Sequence, residues 1–207
     1  IIETMGLTET GSQITTNPMP PAIRKIGSPG TAFGNEIMIA DDTLAAVPTG
    51  TIGEILVRGA NVMQGYLNQP EETAKTISPD GWLRTGDLGY LDQDGYVFVS
   101  GRIKELIIKG GENIAPREID EALLEHEAVL EAAAFAVPCE NYGERVEACI
   151  RLKEQVHASA SDLLAHCQTR LGKFKSPDTI HILEDLPKGP SGKVQRLKLF
   201  GLVYPAE

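Results

Sequence analysis

The sequence predicts an α+β protein built from two differently textured halves. Residues 1–103 are rich in Gly and Pro and carry short strand patterns separated by turn signals, as in a small β-barrel or sandwich. Residues 104–207 alternate helix and strand patterns, as in a compact α+β module. Between them, Ser100-Gly101-Arg102-Ile103-Lys104-Glu105 is a polar connector able to absorb backbone rotation.

In the first half, Asn35–Ala40 and Glu54–Arg58 read as strands, with a polar turn at Asp41-Asp42 and entry to the second from Pro48-Thr49-Gly50. Leu88–Leu91 and Tyr96–Ser100 flank Asp92-Gln93-Asp94-Gly95, whose Asp-Gly pair signals a hairpin. Val97 and Val99 alternate with Phe98 and Ser100, which gives that arm one face to bury. Glu71–Ile77 reads as one short helix.

In the second half, Pro116 suits a helix first turn, and Ile119, Leu123 and His126 fall on one face. Leu130–Val137 is an apolar run ended by Pro138, the pattern of a buried strand. Val146, Ala148, Ile150 and Leu152 alternate with Arg145, Glu147, Cys149 and Arg151, the pattern of a half-exposed strand. Ser159 opens a helix through Leu171, with Gly172 as its stop. Ile180 and Ile182 mark a last strand.

Composition bounds the function. With 42% hydrophobic and 23% charged residues the 207-residue chain reads as globular, and no apolar run reaches the ~18 residues of a membrane span. The net charge of −10 argues against bulk electrostatic binding to nucleic acid. Residues 170–207 are locally basic, with 7 basic against 4 acidic residues, which suits an anionic small ligand. Three cysteines without a CxxC pair argue against a disulfide scaffold or structural zinc and for a reducing, cytoplasmic compartment. The four histidines show no HxxxH or HExxH spacing.

Five segments carry groups suited to nucleotide chemistry. Met5-Gly6-Leu7-Thr8-Glu9-Thr10-Gly11 crowds a hydroxyl suited to phosphate and a carboxylate suited to Mg²⁺ into one turn. Gly86-Asp87 offers an acceptor-only group for two neighbouring ribose hydroxyls, and Arg102 offers donors for ribose or phosphate oxygens. Lys109-Gly110-Gly111-Glu112-Asn113 lets a backbone approach a ligand closely. Pro187-Lys188-Gly189-Pro190-Ser191-Gly192-Lys193 presents an ammonium from a loop and lacks P-loop spacing. Each alone is more often a turn, a surface ion pair, a flexible connection or an exposed lysine.

Together and in this order, the segments resemble the adenylate-forming superfamily, and Gly53–Gly59 followed by Val62–Leu67 extends the likeness. Gly101-Arg102-Ile103-Lys104-Glu105-Leu106-Ile107 and Gly110-Gly111-Glu112-Asn113-Ile114 look like the acyl-CoA synthetase branch. The resemblance implies that residues 1–103 are the β-barrel-like end of a large AMP-binding domain and residues 104–207 its C-terminal lid. It implies an ATP-dependent carboxylate–CoA ligase acting through an acyl-adenylate, with ATP, Mg²⁺ and coenzyme A as cofactors. The alternatives are an acyl-adenylating domain that loads a carrier protein and a non-catalytic nucleotide-binding or interaction module.

By motif match, Gly6 and Thr8 lie against the nucleotide, Thr8 at the α-phosphate, and Glu9 binds Mg²⁺. The resemblance implies that Asp87 holds the ribose with Arg102 assisting, and Asn113 falls where some relatives use a polar side chain near the nucleotide. The resemblance likewise implies Lys104 as the hinge, Gly110 and Gly111 as lining the coenzyme A passage, and Lys193 as the catalytic lysine of adenylation. Met5 stands where relatives often carry an aromatic residue that stacks on adenine. The chain opens Ile1-Ile2-Glu3-Thr4, and nothing matches the family's upstream phosphate loop. The expectation is a C-terminal portion of a longer enzyme, inactive alone, whose partners are the upstream part, a carboxylic acid and coenzyme A or a carrier protein.

Overall fold

The computed structural model describes residues 2–190 and 192–205 and divides the chain into two compact units, Ile1–Ile103 and Lys104–Glu207. The first unit opens with a small antiparallel sheet of β1 (Thr4–Met5), β2 (Thr15–Thr16) and β3 (Thr31–Ala32), in that order. A 3₁₀ turn at Thr8–Thr10 lies between β1 and β2. An antiparallel meander follows, made of β4 (Glu36–Ala40), β5 (Gly53–Arg58), β6 (Leu83–Leu91) and β7 (Val97–Arg102). The short helix α1 (Pro70–Thr76) separates β5 from β6 in sequence.

The α+β class is borne out, and the strands of this unit form open sheets. A barrel requires its end strands to pair, and β4 and β7 are the two ends of the observed order. Ile39, Ile55 and Val97 form the core of the meander, with Met5, Leu91 and Val99 packed against it. The β6–β7 hairpin follows the Asp-Gly signal. The Asp92 carboxylate accepts from the Asp94 and Tyr96 amides, both at 2.9 Å, and Gly95 takes φ +78°. Cross-strand Tyr90 and Phe98 stack with ring centres 5.1 Å apart. β6 begins at Leu83, five residues before the expected Leu88, because the strand continues through the Gly86 bulge.

The second unit contains β8 (Ile107–Lys109), β9 (Glu112–Ile114), α2 (Pro116–Leu124), β10 (Val129–Cys139), β11 (Gly143–Leu152), α3 (Ala160–Lys175), β12 (Thr179–Ile182) and α4 (Leu199–Val203). The sheet order is β10-β11-β8-β9, and β12 runs parallel to β11. One core joins Val146, Ala148 and Ile150 of β11 to Ile119 and Leu123 of α2 and Leu163 and Cys167 of α3. Pro138 lies inside β10 rather than ending it. β10 is the end strand of the order, where a missing N–H is tolerated.

β11 departs most from expectation. Residues 146–150 are buried without interruption, so the strand is not half-exposed. The C-terminal stretch covers its second face, where Cys149 packs with Phe135, Val137, Leu186 and Leu199. Glu147 is fully buried there. It accepts from Arg145 Nε at 2.8 Å and from the Tyr204 hydroxyl at 3.0 Å, and it lies 2.7 Å from His181 Nε2. A buried carboxylate persists only with such partners.

α3 starts where the capping residue predicts. Ser159 Oγ accepts from the Asp162 amide at 3.2 Å. At Gly172 the backbone turns to φ +72°, ψ +168°, and the chain regains one helical stretch to Lys175.

Candidate active site

In the first unit, Gly6 sits against a returning backbone. A Cβ there would meet the Ser12 carbonyl oxygen at 1.7 Å, so only glycine fits. The turn that follows is held by Thr10, whose hydroxyl donates to the Leu7 carbonyl at 3.0 Å and accepts from the Leu7 amide at 3.2 Å. Thr8 is left exposed on this turn and Glu9 half-buried beside it. Glu9 is fixed from residues far along the chain. Its carbonyl accepts from the Met63 amide at 2.8 Å, and its Oε1 accepts from the Tyr66 hydroxyl at 3.0 Å. Burial and then the Glu9 bond raise the Tyr66 pKa, so the phenol stays protonated and donating. Sequence reasoning did not single out Tyr66 as a site residue; its hydroxyl within reach of Glu9 is a tertiary fact.

Asp87 and Arg102 are directly opposite on β6 and β7, with Arg102 Nε 2.7 Å from Asp87 Oδ1. Asp87 is 6% exposed. Its amide donates to Thr85 Oγ1 at 3.0 Å, and that hydroxyl donates to the Ile55 carbonyl at 2.7 Å. Glu54, buried on β5, braces the same bulge. Its Oε1 accepts from the Gly86 amide at 3.1 Å, and its Oε2 accepts from Arg84 Nε and Nη2 at 2.9 and 2.7 Å. Glu54 is a second supporting residue that sequence reasoning passed over. Gly86 at φ +70° is the left-handed position that permits the bulge.

In the second unit, Gly110 and Gly111 form the two-residue turn joining β8 to β9, both with positive φ (+59° and +86°). That is the hairpin geometry glycine adopts without strain. Asn113 is exposed on β9 opposite Ile108. Lys109, next to the turn, is buried with its ammonium 3.4 Å from Asp178. Lys104 is exposed in a 3₁₀ turn at Ile103–Glu105. Lys193 is exposed on a hairpin closed by the Gly189 amide donating to the Lys193 carbonyl (2.8 Å) and the Gln195 amide to the Pro187 carbonyl (2.7 Å).

The structure thus joins Asp87 to Arg102, places Thr8 and Glu9 on one turn, and gathers Gly110, Gly111 and Asn113 on one hairpin. Lys193 occupies a separate hairpin of the second unit. Among the described residues no cluster of three His, Cys, Asp or Glu side chains could cage a metal ion. Also among them, no helix is long and apolar enough to cross a membrane.

Comparison with known proteins adds two family matches. Residues 1–67 match the AMP-binding enzyme family, and residues 118–193 match the AMP-binding enzyme C-terminal domain. A sulfoacetate–CoA ligase from Cupriavidus necator is 51% identical over 199 residues, which is 96% of this chain and 39% of that protein. ATP-bound MatB from Rhodopseudomonas palustris matches with TM-score 0.93 and 35% identity, over 99% of this chain and 41% of that one. The o-succinylbenzoate CoA synthetase from Bacillus subtilis, in complex with its acyl-adenylate intermediate, matches with TM-score 0.86 and 38% identity, over 100% and 41%. The chain therefore spans about two fifths of the length of these relatives. It belongs to the adenylate-forming superfamily of AMP-binding enzymes, in the acyl-CoA synthetase branch.

Proposed function

We propose that the chain is the C-terminal portion of an ATP-dependent carboxylate–CoA ligase. In the first step a carboxylate oxygen attacks the α-phosphorus of ATP, and pyrophosphate leaves as the acyl-adenylate forms. In the second, the coenzyme A thiol attacks the acyl carbonyl, loses its proton, and AMP leaves. The observation that carries this reading is the 51% identity to a sulfoacetate–CoA ligase across 96% of the chain. It favours coenzyme A over a carrier protein as acceptor.

In this reading residues 1–103 are the end of the large AMP-binding domain and residues 104–207 the lid. Gly6 lets the backbone approach the nucleotide, and the Thr8 hydroxyl donates to the α-phosphate. Asp87 accepts from the ribose hydroxyls while Arg102 and Asn113 lie at the nucleotide's edge. Lys104 is the hinge, and Gly110 and Gly111 leave room for the pantetheine arm. Lys193 places its charge between the attacking carboxylate and the phosphate, where it stabilises the charge developing in the transition state.

Glu9 fits Mg²⁺. The ion is usually held by one or two carboxylates together with substrate phosphates, and Tyr66 orients Glu9 through one of its two oxygens. Bound there, Mg²⁺ supplies neutralisation of phosphate charge.

The acids named for two relatives, sulfoacetate and o-succinylbenzoate, each carry a second anionic group. Acids of that class are therefore the first substrates to test. The complete enzyme, given ATP, Mg²⁺, coenzyme A and such acids, is expected to release AMP and yield an acyl-CoA detectable by mass spectrometry. Acylation of a carrier protein in place of coenzyme A, or no thioester with any acid, contradicts the reading.

A further inference from the structure

The hairpin bearing Lys193 is rooted in the second unit by flanking side chains. Leu186 and Leu199, on either side of it, are 2% and 0% exposed in the core under β10 and β11. On the incoming arm, Lys188 Nζ donates to Asp185 Oδ1 at 2.9 Å and to Glu131 Oε2 at 3.0 Å. On the outgoing arm, Arg196 spends all three guanidinium nitrogens. Nη2 donates to Asp120 Oδ2 at 2.6 Å, Nη1 to Asp120 Oδ1 at 3.3 Å and to the Ala134 carbonyl, and Nε to Glu105 Oε2 at 3.1 Å.

Asp120, on α2, is itself 8% exposed and also accepts from the Ala134 amide at 2.6 Å. One guanidinium therefore ties the hairpin to α2, to β10 and to Glu105, the neighbour of Lys104. Burial works against the Arg196 charge, but the Asp120 bond outweighs it and raises the pKa, so the cation is permanent. Lys193, three residues earlier, is exposed and makes no ion pair among the described residues.

We propose that Arg196, clamped by Asp120 and Glu105, is a positioning residue that holds the Lys193 hairpin in the geometry adenylation requires. This rests on Lys193 acting in adenylation. The planar five-donor fork satisfies three anchors at once, which a lysine's point charge does not do. A displacement of ~1 Å in a group that must bridge two anions costs on the order of a hundredfold in rate. Removing the clamp therefore slows the step that uses Lys193 and spares the step that does not.

The test uses the complete enzyme. Removing Arg196 alone leaves a buried carboxylate unpaired and threatens folding. The first variant is therefore the neutral pair Asp120→Asn/Arg196→Gln, in which the residue at 120 keeps an acceptor for the Ala134 amide. Arg196→Lys, which keeps the buried charge pair, gives the same reading if the neutral pair melts early. ATP–pyrophosphate exchange reports adenylation, and transfer from a supplied acyl-adenylate to coenzyme A reports the second step.

Exchange is expected to fall about a hundredfold in the neutral pair, and less in Arg196→Lys, with transfer changed less than about twofold. Combining the neutral pair with Lys193→Ala is expected to lower exchange no further than Lys193→Ala alone, because both changes act through one group. Parent-like exchange in both clamp variants, equal loss in both steps, or additive loss with Lys193→Ala overturns the proposal while leaving the Lys193 assignment standing. Full exchange in Lys193→Ala overturns the assignment, and the proposal with it.

Discussion

The Arg102 guanidinium lies 2.7 Å from the Asp87 carboxylate, on residues directly paired across β6 and β7. The pair is held by strand register rather than by flexible loops, and the Asp87 amide is separately fixed by Thr85. A carboxylate with so little freedom is suited to accept two hydroxyls of defined spacing.

Asp87→Ala in the complete enzyme is expected to raise the KM for ATP. A hydrogen bond to a charged group contributes about 1.5–3 kcal/mol, which is roughly ten- to a hundredfold in affinity. Arg102 is 42% exposed in its side chain and remains solvated without its partner, so the fold is expected to survive. ATP titrations check this, and an unchanged KM would contradict the ribose assignment.

Glu54→Gln is expected to act on the same site from behind. Buried at 5% exposure, Glu54 holds both the Gly86 amide and Arg84. An amide group has one acceptor oxygen, so it cannot accept from the Gly86 amide at one position and from Arg84 at the other, and leaving a buried partner unmatched costs about 1–3 kcal/mol. Urea unfolding is expected to show that loss, with a raised KM for ATP as Asp87 shifts. A stability loss without any change in KM would make Glu54 a fold residue only.

The β6–β7 hairpin is expected to weaken in acid through Asp92. Burial pushes its pKa up, but the Lys25 ammonium and the Tyr96 and Asp94 amides outweigh burial and hold it below the ordinary 3.8. A depressed folded value means the stabilisation is complete above the ordinary value and is lost as pH falls through the folded one. Asp92→Asn is expected to flatten the acid limb of the stability profile below pH 3.8. An identical acid limb in the variant would remove Asp92 from that account.

Two of the three cysteines are expected to be inert. Burial pushes the Cys149 thiol up to about 11, assisted by the Glu147 charge, and burial pushes Cys167 up to about 11. Both are fully buried and Cys139 is not. Iodoacetamide at pH near 8 is expected to label Cys139 in the folded protein and the other two only after unfolding. Peptide mass mapping checks the order, and early labelling of Cys149 would contradict the covering of β11 by the C-terminal stretch.

Much of the fold was legible because its signals are local. The Asp92–Gly95 hairpin and the Ser159 cap depend on residues a few positions apart. What was hidden depends on distant partners. Glu147 and Cys149 alternate as outward residues should, and it is the returning C-terminal stretch that meets them, with Leu186 and Leu199 packed on Cys149 and the Tyr204 hydroxyl bonded to Glu147. Tyr66 meets Glu9 across 57 positions, Arg84 meets Glu54 across 30, and Arg196 meets Asp120 across 76. No local pattern encodes such pairings. The motif positions of the candidate site were visible as a set, while the residues that brace them were not.

The most direct test of the account is Lys193→Ala in the complete enzyme, with the two half-reactions measured separately. ATP–pyrophosphate exchange is predicted to fall about a hundred- to a thousandfold, the effect of removing one preorganised donor from a developing negative charge. Acyl transfer from a supplied acyl-adenylate to coenzyme A is predicted to stay near the parent rate. Equal loss in both half-reactions, or exchange at the parent rate, would contradict the account.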